Sequence, residues 1–211
     1  MRFNELHIQT EHPPHTKDDK QNRISLPNLL RKVSLFIIIF VLSLHFPNFI
    51  SDLHQKDQTI GEILAVLEKH PTGLANVTKE ELAEAIYEEA VRYNHEPKFI
   101  LALIAIESSF QNWSVSEQGA KGLMQIMPYV AESLAQEIGI EWGGDRTLFN
   151  PYLNVRIGIH YLSKLIFDFK DIGVALTAYN YGPTYVKSLI KNNERIPYHY
   201  YRKFITTYQN I

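Results

Sequence analysis

The chain has 211 residues, 45% of them hydrophobic, which is enough for one domain of ordinary size, a real core and something besides. Its formal net charge of −2 gives no electrostatic case for a nucleic-acid partner. The absence of cysteine excludes disulfides, thiolate metal sites and a lipid-modified N-terminal cysteine, and leaves the redox compartment open.

Residues 1–32 are polar, mixed in charge and without apolar periodicity, which predicts a disordered tail. Its His12 and His15 read as solvated rather than metal-binding. From Val33 to Ser51 no charge appears, and Leu35 to Leu42 are all large and apolar. About 20 such residues span a bilayer core, so 33–51 reads as a single transmembrane anchor. A cleaved signal peptide is the rival reading, but its polar N-terminal region would be unusually long and no small-x-small cleavage site follows. Lys20, Arg23, Arg31 and Lys32 precede the stretch and only Lys56 closely follows. This bias predicts a cytoplasmic N-terminus in the bacterial inner membrane, with the rest of the chain in the periplasm or otherwise outside. Residues 52–77 read as a linker, with a short amphipathic helix over Ile60 to Leu67 that His70-Pro-Thr-Gly73 would end.

A compact domain, 78–211, follows. Thr78-Lys-Glu-Glu81 has the form of a capping box, and Leu82, Ala85, Ile86 and Ala90 continue it at helical spacing. Pro97 sits where a first helical residue belongs and opens a helix ending at Glu107. Pro128 opens another to about Ile138, stopped by Gly139. Asn150-Pro151 caps a long helix over Tyr152 to Phe169; Asp171 caps the next, through Asn180; Gly182-Pro183 breaks the chain before a helix to about Ile190. The aromatic segment Tyr198 to Tyr208 is expected to be helical. No alternating run suggests a substantial sheet, so the fold class is mainly α. The 12 Tyr and 11 Phe suit core packing, and a Tyr-rich cleft also suits stacking on sugars.

The stretch Ile100 to Pro128 is the most informative. Ile100 to Ile106 is an unbroken apolar run ending on one carboxylate, Glu107. A carboxyl in such a setting tends to carry a raised pKa, which suits a general acid at neutral pH. The plainer reading, a first solvated residue past the core, stays open on position alone. The downstream pieces bear on the choice: Glu107-Ser-Ser-Phe110, Gly122-Leu-Met-Gln125, Asn150-Pro151 with Gly158 and Tyr161-Leu162, and Ala175 to Asn180 before Gly182.

In this order and spacing, over about residues 80–195, the sequence resembles the lytic murein transglycosylases of the soluble-transglycosylase (SLT) type, relatives of goose-type lysozyme. The resemblance implies a lysozyme-like helical fold and cleavage of the β-1,4 bond between N-acetylmuramic acid and N-acetylglucosamine in peptidoglycan. It implies one catalytic glutamate, matching Glu107, which acts first as acid and then as base to leave a 1,6-anhydro sugar. By the same resemblance, Ser116 hydrogen-bonds near the reacting sugar, Gln125 binds the glycan, and Asn180 contacts an acetamido group. Tyr179 matches the tyrosine that orients the glutamate, and Met124 and Met127 are groove-lining candidates, although Met at that spacing is more often core. Gly119 and Gly122 would permit a tight loop beside the cleft. No cofactor or metal is implied.

The chain departs from the pattern at Gln111-Asn112, where the family often has Asn-Pro, and at Trp113, Glu117 and Tyr181. Trp113 is a candidate for stacking on a sugar. Glu117 is a candidate second carboxylate, or a solvated loop residue. Two other functions remain in view: a hydrolytic muramidase on the same fold, with Glu117 activating water, and a peptidoglycan-binding module that has lost catalysis. The expected partners are glycan strands and the inner membrane. Small size leans toward opening the wall for a secretion or conjugation machine rather than general wall turnover.

Overall fold

A computed structural model of the protein describes residues 26–211, with the side chains of residues 42 and 44–50 outside the description. The chain divides into two units, Met1–Ile50 and Ser51–Ile211. Most of the expected disordered tail, 1–32, and the side chains of residues 42 and 44–50 in the expected anchor, 33–51, fall outside what is described. The described end of the tail is helical: helix α1, Leu26–Glu68, begins there, with Pro27 in its first turn and Leu29 and Leu30 ahead of Arg31. Val33 and Leu35 to Val41 lie on this helix with their side chains exposed. Among the described residues no helix is long and apolar enough to cross a membrane.

Within the second unit, residues 51–68 are not a loose linker. They form the remainder of α1, and Ile63 and Leu67 are 1% and 0% exposed. Burying two such side chains is worth about 1.5–3 kcal/mol each, enough to hold the segment on the domain. The expected short helix over Ile60 to Leu67 is thus the end of a longer one.

The capping signals place the other elements. Thr78 Oγ1 accepts from Glu81 N at 3.2 Å and Glu81 Oε2 accepts from Thr78 N at 2.8 Å, so both halves of the capping box form at the start of α2, Lys79–Arg92. Proline opens α3, Pro97–Ser108; α4, Pro128–Glu137; α6, Pro151–Phe169; and α8, Pro183–Lys191. Asn150 Oδ1 caps α6, and Asp171 Oδ1 caps α7, Ile172–Tyr181. The last helix is α9, His199–Asn210. A short helix, α5, Asp145–Phe149, was not expected. Strand pairing among the described residues is limited to two isolated bridges, Val115 with Lys121 and Lys121 with Ile126.

Helix α6 is the hub: it packs against α2, α4, α5 and α7, while α3 lies against α9 and α2. The loop between α3 and α4 is carried on α6 by one side chain. Asn154, 0% exposed, accepts from Met124 N at 2.8 Å and donates to Lys121 O at 3.0 Å and Leu148 O at 2.9 Å. Gly122 makes that approach possible: its φ is +81°, and a Cβ there would lie 2.2 Å from Asn154 Nδ2. Gly158, one turn further along α6, lets Met124 pack flat on the helix, since a Cβ would come 2.5 Å from its sulfur.

Asn154→Ala removes all three bonds and takes this partner from the buried Met124 N–H and Leu148 O, while Lys121 O keeps the Ile126 N–H at 3.1 Å. At about 1–3 kcal/mol for each buried group left unpaired, a loss of about 3 kcal/mol or more is expected in urea denaturation, with the fold retained.

Candidate active site

Helix α3 is enclosed through Ile100, Leu101, Ala102, Leu103 and Ile104, all 4% exposed or less. It delivers Glu107 to its last turn in a half-buried position. The chain then leaves the helix through two consecutive left-handed residues, Ser109 with φ +52° and Phe110 with φ +65°. Such conformations cost about 1–3 kcal/mol each for residues with side chains. Here they are held by the Ser109 N–H donating to Ala105 O at 3.1 Å and by burial of the Phe110 ring against His70.

Opposite Glu107 stands Tyr200, whose hydroxyl donates to Glu107 Oε1. The pairing follows from the antiparallel register of α3 and α9. Phe99 packs on Phe204 and Tyr208, with ring centroids 4.5 and 6.4 Å apart. Eight residues along α3 from Phe99 is Glu107, and eight residues back along α9 from Tyr208 is Tyr200. Both steps rise about 12 Å, so the two polar groups meet at the far end of the aromatic contact.

Burial pushes the Glu107 carboxyl up to about 7, against the opposing influence of the Tyr200 donor and the positive charge of Lys203. Tyr200 itself is raised well above the ordinary phenol range, by burial first and then by Glu107, so it remains a donor at any physiological pH. Tyr179 is also raised well above that range by burial and by the charge of Glu107. Tyr161, its ring 5.3 Å from that of Tyr179, is pushed up to about 12, chiefly by burial.

The other residues singled out in the sequence have more local occupations. Tyr179 does not donate to Glu107: its hydroxyl donates to Met124 O at 2.8 Å, tying the loop to α7. Gln125, itself at φ +51°, donates from Nε2 to Ser114 O at 3.0 Å and Gly122 O at 2.9 Å. Ser116 Oγ accepts from Ala120 N at 3.0 Å across a turn that Gly119 closes at φ +90°. Met124 is 0% exposed and packs in the core against Gly158, whereas Met127, ahead of α4, is half-buried. Asn180 is exposed beside Tyr179, and Glu117 is exposed on the loop. Among the described residues no group of three or more potential metal ligands comes together.

Tyr200 and Lys203 were not singled out by sequence reasoning. The signal was present as Tyr200, Phe204 and Tyr208, spaced to share one helix face. What the spacing lacked was the partner, which lies 93 residues earlier in the chain.

Comparison with known proteins adds an independent line. The model of the transglycosylase SLT domain matches residues 84–201. Among curated proteins, the membrane-bound lytic murein transglycosylase C of Actinobacillus pleuropneumoniae serotype 5b (strain L20) is 38% identical over 78 residues, covering 36% of this chain and 21% of that protein. The transglycosylase of Enterobacteria phage PRD1 is 31% identical over 99 residues, covering 47% and 34%. The chain thus spans a fifth to a third of the length of these relatives. Among solved structures, the lytic transglycosylase Slt of Pseudomonas aeruginosa, an inactive mutant, aligns at 29% identity and a TM-score of 0.49, covering 59% of this chain and 21% of that one.

The carboxyl of Glu107 is expected to titrate near pH 7 in a carbon-13 NMR titration, and Tyr200→Phe should move the midpoint upward by removing a donor to the charged form. The raised value also has a stability consequence. The folded state favours the protonated acid, so this contribution is complete below about pH 4.5 and is lost as the pH rises through about 7. Glu107→Gln escapes that loss and should gain on the wild type with rising pH, by up to about 3 kcal/mol above neutrality in denaturant melts.

Proposed function

The chain belongs to the transglycosylase SLT family, whose model matches more than half of its length, and from that membership we propose that it is a peptidoglycan lytic transglycosylase working with one carboxyl group. The observation that carries the reading is Glu107: an acid with a pKa of about 7, at the end of a buried helix, among tyrosines and one lysine.

In this proposal Glu107 starts protonated. It gives its proton to the glycosidic oxygen as the bond from C1 of N-acetylmuramic acid to the N-acetylglucosamine breaks. The sugar's own 2-acetamido oxygen stabilises C1 in the interval. Glu107, now a carboxylate, takes the proton of the muramoyl C6 hydroxyl as that oxygen bonds to C1. The acid is regenerated, a 1,6-anhydro end is formed, and no water is consumed. Tyr200 and Lys203 favour the carboxylate and hold its charge between the two halves. The tethered C6 hydroxyl needs no second base of the kind glycosidases commonly use to drive water or to attack C1.

The glycan-binding roles of Ser116, Gln125, Met127 and Asn180 belong to the same proposal. Ser116 and Gln125 spend part of their hydrogen-bonding capacity on the loop, so their contribution is to shape the groove as well as to touch sugar. Met124 and Tyr179 support the groove from beneath. Anchoring by Val33 to Ser51 also belongs here, supported by the charge-free stretch and by the exposed apolar side chains from Val33 to Val41.

Three outcomes follow for activity and location. Glu107→Gln should lower turbidity loss on purified walls by about 10²–10⁴-fold, because acid–base help is typically worth that much. Mass spectra of wild-type digests should show muramic ends lighter by one water than hydrolysed ends, unchanged in Glu117→Ala. Reducing ends that vanish with activity in Glu117→Ala would instead favour the muramidase. The full chain should sediment with membranes and require detergent for release, whereas a chain starting at Ser51 should not.

A further inference from the structure

We propose that a cavity beside Trp113, outside the Glu107 site, binds an N-acylated amino acid or short peptide carrying a free carboxylate. Its connection to wall strands, whose peptide stems have this chemistry, rests on the function proposed above; the binding itself does not.

The cavity measures about 310 Å³, at the lower end of ligand-sized pockets, which run from about 300 to 1,000 Å³. It lies between residues 75–77, Trp113 and the junction of α5 with α6. Three features distinguish it from a surface dent. The first is a fixed aromatic wall. Trp113 is 55% exposed, yet its Nε1–H donates to Gly73 O at 2.6 Å and its ring leans on Phe149 at 5.0 Å. Gly73, at φ +66°, has no Cβ, which would sit 3.2 Å from the indole. Gln111 beside it donates to Pro71 O. The indole is therefore locked by its edge while half its surface stays open, a preorganised platform for amide or C–H faces.

The second feature is Asn112, a lining residue that is 1% exposed. Its N–H donates to Thr72 O at 2.9 Å and its Nδ2 to Phe149 O at 2.9 Å, which fixes the side chain. Its Oδ1 is buried with no hydrogen-bond partner among the described residues. That oxygen has no surface open to the cavity, so Asn112 serves there as a fixed piece of the wall. The third feature is Arg146, exposed on the rim and in no ion pair among the described residues. The acid next to it, Asp145, is held by Lys121 at 2.6 Å and does not neutralise it.

An indole face on which an amide plane can lie, a fixed wall and a free guanidinium fit an acyl-amide with a carboxylate. A neutral sugar would leave the guanidinium unused, and carboxylate is the group that a guanidinium fork grips with two parallel bonds.

The test uses the full chain and N-acetylmuramoyl-L-alanyl-D-isoglutamine, followed through the Trp113 indole resonance in proton–nitrogen NMR, with Trp142→Phe to assign the two tryptophans. A saturable shift of the Trp113 signal is expected. Amidating the ligand carboxylate, or Arg146→Gln, should weaken binding about tenfold or more, since a hydrogen bond to a charged group is worth about 1.5–3 kcal/mol. No Trp113 shift, or binding indifferent to both changes, overturns the proposal. Equal binding of N-acetylglucosamine overturns it in favour of a plain sugar subsite. Activity on intact purified walls, stems included, is measured alongside: its absence in the wild type sinks the transglycosylase reading and leaves the peptide site standing.

Discussion

Removing one carboxyl group from water is the constraint on which the rest of the domain depends. Glu107 is half-buried because α3 is enclosed from Ile100 to Ile104 and ends where α9 begins. That position favours the neutral acid, and only a donor that cannot itself ionise, Tyr200, is placed directly against it. The aromatic contact of Phe99 with Phe204 and Tyr208 sets the helix register, and the left-handed exit through Ser109 and Phe110 prevents the helix from running on into solvent. Hydrophobic packing thus tunes a proton affinity at a distance, through geometry alone.

The loop after α3 shows how polar residues near such a site divide their work. Asn154 and Tyr179 are buried and hold backbone atoms of the loop from below. Gln125 and Ser116 hold it from within. Backbone in these conformations would otherwise leave carbonyls and N–H groups unpaired, which buried segments rarely tolerate. Side chains that the family resemblance marks for ligand contact are therefore also the framework that gives the loop its shape.

The sequence announced its helices through local chemistry. Thr78, Pro97, Pro128, Asn150, Asp171 and Gly182-Pro183 each act within a few residues of themselves, and each marks an element boundary. Glu107 was legible because an apolar run ending on an acid is followed by motifs in the order of a known family, and neither signal needs a fold. Tyr200 was not, since its meaning depends on a contact across the chain, and the family pattern drew attention to Tyr179 instead. Residues 52–68 misled for a different reason. They are mostly polar, and the amphipathic pattern is confined to Ile60 to Leu67, where Ile60, Leu64 and Val66 are partly buried on the core and only Ile63 and Leu67 fully.

Those two side chains separate two definitions of a domain. The segment matched by the family runs over residues 84–201, but the core is sealed by Ile63, Leu67, Leu82 and Ala83 on one side of it and Phe204 on the other. The module shared by descent is therefore smaller than the module that closes its own core. A chimera that grafted 84–201 alone into a foreign host would carry the acid and the loop beside it, yet leave an apolar gap where the end of α1 belongs. The host would have to furnish a substitute helix, and the choice of that helix is where such a graft would succeed or aggregate.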